Sequence, residues 1–267
     1  MWRYQEMDKP WASCAMPPPI PGAPFVPPGE AIDYRPMIAL NQLADNLWEY
    51  SHPYRPLGFE IGHRMTAVRL STGPDAGGLW VHSPTPLDGP TRIALAAQGS
   101  IHWVVVPSHF HDMYLDGYFA SYPATKFAGV AGFAERHPEL AFTHALDDPD
   151  TCPWSDEILW QPLAGMPNVN EAVFLHRPSR TLIVADMVFN FRAGNLRTRA
   201  MMRLNGAWGD VAASRFFKSR VADRAALRSS VKRVLEWDFD RIVVGHGDVV
   251  PSAGRQAIEG AFRWLLH

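Results

Sequence analysis

The 267-residue chain is 47% hydrophobic and 19% charged, with a formal net charge of -2. This is the composition of a globular protein with enough apolar residues for a large core, and it carries no electrostatic footprint for nucleic acid or another polyanion. The only cysteines, Cys14 and Cys152, are too few and too far apart for a disulfide framework or a cysteine metal site, so a reducing compartment is the simpler assumption.

Residues 1–37 are dense in proline, with the run Pro17, Pro18, Pro19 at their centre. Missing backbone donors and fixed φ favour an extended path there. The segment reads either as a ligand for a proline-binding module or as an arm carrying Trp2, Trp11 and Phe25, and the arm is the reading retained. It lacks the apolar run of a secretory signal, and no stretch of the chain approaches the roughly 20 apolar residues of a membrane span. A cytoplasmic location with no membrane span is therefore the expectation, and residues 38–267 are read as one domain.

Short β-prone runs follow in 43–55, 63–71 and 78–84, separated by turn-rich pieces such as 71–78. The last run ends in His82 and Ser83, and His82 is expected as a hydrogen-bonded histidine at a strand edge. Alanine and leucine at helical spacing in 90–98 predict a helix stopped by Gly99. An apolar strand over 103–106 comes next, then a helix over 112–122 with Asp112 as its N-cap. A strand over 125–130 and a short helix over 131–140 lead to three more strands, 157–161, 171–176 and 181–186, with a tight turn at 177–180. The region 195–233 reads as mostly helical and rich in arginine, either a solvated face or a guide for an anionic substrate. A final strand over 241–245 and a helix over 252–266 close the chain. The order fits one layered α/β domain.

Three of these apolar strands end in residues that ligate metals. The strand at Trp103–Val106 stops at Pro107-Ser108 and is followed by His109 and His111. If this segment were extended, the two imidazoles would share a side, and neutral imidazole suits zinc and similar ions. The strand at 181–185 runs into Asp186, and that at 241–245 into His246, Gly247 and Asp248. Sites in open α/β sheets gather outside the carboxyl ends of strands, so His109, His111, Asp186 and His246 are the expected ligands.

These motifs resemble the metallo-β-lactamase superfamily over about residues 40–266, and the wording of 162–191 looks like an uncharacterised branch of it, a domain family of unknown function. Ser108-His109-Phe110-His111 matches the first half of the His-x-His-x-Asp-His signature. Ala185-Asp186 matches the metal-bridging aspartate, and Gly245-His246-Gly247 the last histidine. The resemblance implies a four-layer αβ/βα sandwich. Three usual ligands are replaced: the signature's aspartate and last histidine fall on Met113 and Tyr114, and the middle Gly-His on Gly165-Met166. Asp112 and Glu171 stand as reserve carboxylates. The implied activity is metal-dependent hydrolysis of a small-molecule ester, lactone, thioester or phosphodiester at a reduced site holding a single zinc, iron or manganese ion. Asp186 would be a ligand with a catalytic part, and Tyr114 a donor to a developing oxyanion. The alternative is a non-catalytic relative, without metal, that binds a ligand or partner. An iron site for oxygen or redox chemistry, as in some superfamily members, ranks below both because no flavin domain is visible.

Overall fold

The computed structural model describes residues 39–267; the proline-rich arm and Cys14 lie outside the described residues. Two sheets carry the fold. The first has seven strands in chain order, β1 (Asn41–Ala44), β2 (Leu47–His52), β3 (His63–Arg69), β4 (Leu79–His82), β5 (Ile101–Val106), β6 (Lys126–Val130) and β7 (His144–Leu146). Its first half is an antiparallel meander. From β4 onward the strands are parallel, because helical crossovers α1 (Gly89–Ala96), α2 (Leu115–Ser121) and α3 (Phe133–Arg136) separate them. The run 43–55, read as one extended piece, is split into the β1–β2 hairpin at Asn46, whose φ of 59° an asparagine tolerates.

The second sheet contains β8 (Ile158–Pro162), β9 (Ala172–His176), β10 (Thr181–Ile183) and β11 (Arg241–Val243), ordered β11-β10-β9-β8. Only β10 and β11 are parallel, and they are joined through α4 (Leu196–Leu204), α5 (Arg215–Ser219) and α6 (Arg224–Glu236). The arginine-rich region thus divides into three helices, and the predicted C-terminal helix into α7 (Gly254–Ala261) and α8 (Arg263–Leu266).

Side-chain alternation sorts the second sheet into two faces. Ile158, Trp160, Phe174, Ile183 and Val243 join the core of the first sheet. Their neighbours Val173, Leu175, Leu182, Val184, Ile242 and Val244 pack instead with Leu227, Val231 and Val234 of α6 and Ile258 of α7. On the other side, Leu95 of α1 and Leu115 and Tyr118 of α2 belong to the first sheet's core. The layers are therefore helices, sheet, sheet, helices. His82 differs from its expected role: it is buried between Trp80 and Phe174, with ring centroids 5.7 and 5.3 Å away, and neither ring nitrogen has a hydrogen-bond partner among the described residues. No helix among them is long and apolar enough to cross a membrane.

Candidate metal centre

The ends of β4, β5, β10 and β11 and the start of the antiparallel β3 meet at one edge of the sandwich. Buried Arg64 ties the start of β3 to the end of β11. Its backbone N–H donates to Gly245 O at 3.0 Å, its Nη1 donates to Val244 O at 2.7 Å, and its Nε donates to Glu49 at 2.8 Å. The first sheet is thereby fastened to the segment that carries His246.

Three of the four expected ligands converge. One ligand atom from each of His111, Asp186 and His246 lies within 4.8 Å of the others. His111 Nε2 is 3.5 Å from Asp186 Oδ2, and His246 Nε2 is 3.4 Å from Asp186 Oδ1. The far side of each imidazole is held: His246 Nδ1 is 2.7 Å from Gly62 O, and His111 Nδ1 is 2.7 Å from Ser83 Oγ. A carbonyl only accepts, so Nδ1 of His246 carries the proton and Nε2 faces the carboxylate. This is the outer-shell pattern that orients a ligating histidine.

The glycines flanking His246 serve the same packing. A Cβ on Gly245 would stand 2.6 Å from Ala185 O and 3.0 Å from His111 Cε1. Gly247 has a φ of 90°, a conformation that favours glycine.

His109 stands outside this group. Its Nε2 faces Ala131 O at 3.3 Å and its ring lies beside Phe133. The reason is local: His111 N–H donates back to Ser108 O at 3.3 Å, and Phe110 N–H to Ser108 Oγ at 3.3 Å. The segment is a turn, so alternation along an extended chain does not apply. Asp112 is also elsewhere, its Oδ2 3.2 Å from His137 Nε2, and the helix it was expected to cap begins only at Leu115.

Glu171 is not in the ligand group. Its buried carboxylate accepts from Ala185 N at 2.9 Å and Asp186 N at 3.1 Å, fixing the turn that presents Asp186. Tyr114 packs edge-on against His63 and His52, with centroids 5.4 and 5.9 Å away. Burial, then Tyr54, raises its hydroxyl above the usual phenol range, so it stays protonated.

Burial opposes the charge on Asp186, but His111 and His246 outweigh it and hold the carboxyl below the usual carboxylate range. For His246 burial also opposes charge, and its contact with Asp186 outweighs that and raises the imidazole. Burial, reinforced by Asp186, pushes Glu171 up. His63 and Ser83, which the sequence reading did not single out as site residues, are both buried beside the cluster. A cavity of about 350 Å³ opens next to it, lined by His52, Tyr54, Arg55, Gly62 and Gly247 among others.

The fold matches solved structures. A metallo-β-lactamase from Pontibacter korlensis aligns over 85% of this chain and 97% of its own, with a TM-score of 0.57 and 14% identity. The chain has the metallo-β-lactamase fold. A metallo-β-lactamase from Hirschia baltica aligns over 83% of this chain and 94% of its own, with a TM-score of 0.55 and 13% identity. The flavodiiron protein from Giardia intestinalis gives a TM-score of 0.62 at 11% identity, over 85% of this chain and 59% of that one. Neither a protein-family model nor a curated protein sequence matches the chain.

Proposed function

We propose that this metallo-β-lactamase-fold protein is a metal-dependent hydrolase with a single divalent ion, zinc, iron or manganese, held by His111, Asp186 and His246. The observation that carries this reading is the convergence of two imidazole Nε2 atoms and a carboxylate within 4.8 Å. The donor set fits: nitrogen and carboxylate oxygen suit these ions, and the other nitrogen of each imidazole is anchored. Neighbours of the fold are named metallo-β-lactamases and flavodiiron proteins, which is consistent with a metal at this edge.

A bound divalent ion supplies Lewis acidity and lowers the pKa of a coordinated water toward neutrality. The chain's own residues do the rest. Asp186 supplies fixed negative charge, Glu171 holds its turn, and Gly62 O and Ser83 Oγ keep the imidazoles oriented. Tyr114 stays protonated and serves as a donor to the charge that develops on a substrate oxygen. The substrate class is an ester, lactone, thioester or phosphodiester. His109 keeps to its contact with Ala131 O and supports the turn.

The test is metal content per chain by elemental analysis, on protein purified without chelator or metal-binding tag. The His111→Ala/His246→Ala variant is run beside it, followed by a hydrolysis screen over the four substrate classes. About one metal ion per chain, lost in the variant together with any turnover, supports the reading. No metal after incubation with excess zinc overturns it and leaves a non-catalytic ligand-binding relative.

A further inference from the structure

We infer that His63 is a third imidazole ligand of the same centre, completing a three-histidine, one-carboxylate set with His111, His246 and Asp186. The inference rests on the metal reading above and adds a ligand from β3 that the superfamily signature does not contain.

His63 is 1% exposed, and its Nε2 lies 3.2 Å from Pro84 O. A carbonyl cannot donate, so Nε2 carries the hydrogen and Nδ1 keeps a bare lone pair. Nδ1 is buried and has no hydrogen-bond partner among the described residues. Buried polar atoms without partners are rare, and each calls for a reason. A lone pair on one nitrogen with N–H donation to a carbonyl from the other is the state of a metal-ligating histidine. His246 shows the same arrangement with Gly62 O.

Direction follows from Ser83. Its Oγ meets His63 Nε2 at 3.2 Å and His111 Nδ1 at 2.7 Å. The two rings are stacked, 4.9 Å between centroids and 29° between planes. The shared hydroxyl takes one nitrogen of each ring, so the other nitrogen of each is turned away from Ser83. For His111 that nitrogen faces Asp186. The His246 ring stands edge-on to His63 at 6.3 Å. His63 is not among the three residues whose ligand atoms lie within 4.8 Å of one another, so coordination requires its ring to shift.

The experiment loads the full chain with cobalt(II) and counts the exchangeable, hyperfine-shifted imidazole N–H resonances by NMR; each coordinated histidine gives one. Zinc affinity is measured by competition with a chromophoric chelator. The variants are His63→Ala and His63→Gln, the latter keeping an amide donor for Pro84 O while removing Nδ1. Loss of an orienting residue and loss of a ligand each weaken metal binding by about tenfold or more, so the resonance count decides. Three resonances in the wild type and two in either variant support the inference. Two in both, with cobalt retained, overturn it and leave His63 as packing. Three that persist in the variants also overturn it and assign the third to another histidine such as His109. A wild type that takes up neither cobalt nor zinc overturns the metal reading itself.

Discussion

Glu171 holds Asp186 by the backbone: its two carboxylate oxygens receive the N–H groups of Ala185 and Asp186 at 2.9 and 3.1 Å. The acid thus sits one layer behind the candidate metal centre and sets where the Asp186 carboxylate points. Glu171→Ala leaves two buried N–H groups unpaired and is expected to cost about 2 kcal/mol or more. Glu171→Gln keeps one acceptor oxygen and turns an amide NH2 toward a donor, so its cost should be comparable. Urea denaturation measures both, and zinc affinity should fall with them. Unchanged stability in the alanine variant would refute this bracing role.

How much of this was readable in advance depends on where each residue sits. Asp186 and His246 close uninterrupted apolar runs, and the strand ends beneath them are set by the runs themselves. His111 and His109 could not be told apart, because the choice depends on the Ser108 turn and its hydrogen bonds rather than on spacing. His63 and Ser83 are 20 residues apart and meet only because β3 and β4 pair antiparallel. Glu171 left a weak signal, an acid directly before the buried strand Ala172–His176, yet its task is to hold a turn rather than a metal. The fold was legible further, since alternation on the second sheet and the helix face of α6 are local patterns.

The aromatic box around His82 predicts an acid-sensitive core. Burial, followed by the charge on His111, lowers this imidazole from its ordinary 6.5 to about 3. Between those values the unfolded chain binds a proton that the folded protein refuses. The stability contribution is therefore complete above pH 6.5 and is lost as pH falls toward 3, at up to about 1.4 kcal/mol per pH unit. His82→Phe keeps a ring between Trp80 and Phe174 and removes the titration. The drop in unfolding free energy from pH 7 to pH 4 should shrink by about 2–3 kcal/mol. Equal pH dependence in the two proteins would contradict this account.

Gly245 is fixed by the closeness of two other segments of the chain. Its missing Cβ would stand 2.6 Å from a backbone oxygen, Ala185 O, which cannot swing away, and 3.0 Å from the His111 ring. Gly245→Ala is expected to destabilise the fold by about 1–3 kcal/mol and to weaken zinc binding by displacing His111. Thermal unfolding and chelator competition read the two effects. A variant with wild-type values in both would show that the β11 end has room to shift.

The His246–Asp186 contact predicts that metal and proton compete for one nitrogen. His246 Nδ1 donates to Gly62 O, so in the metal-free protein Nε2 meets the carboxylate 3.4 Å away only by carrying a proton as well. Burial resists this charge, and Asp186 outweighs burial and raises the imidazole. A raised folded pKa gives stability that is complete below the unfolded value of about 6.5 and is lost as pH rises through the folded value. Metal-free protein should therefore lose this contribution on the alkaline side, and zinc should have to expel the proton. Apparent zinc affinity should rise about tenfold per pH unit below the His246 transition and flatten above it. Calorimetric titrations in buffers of different ionisation enthalpy should record about one proton released per zinc on the acid side. In His246→Gln, which lacks this imidazole, the zinc that still binds should no longer release that proton. Proton release persisting undiminished in this variant would place the displaced proton on another group.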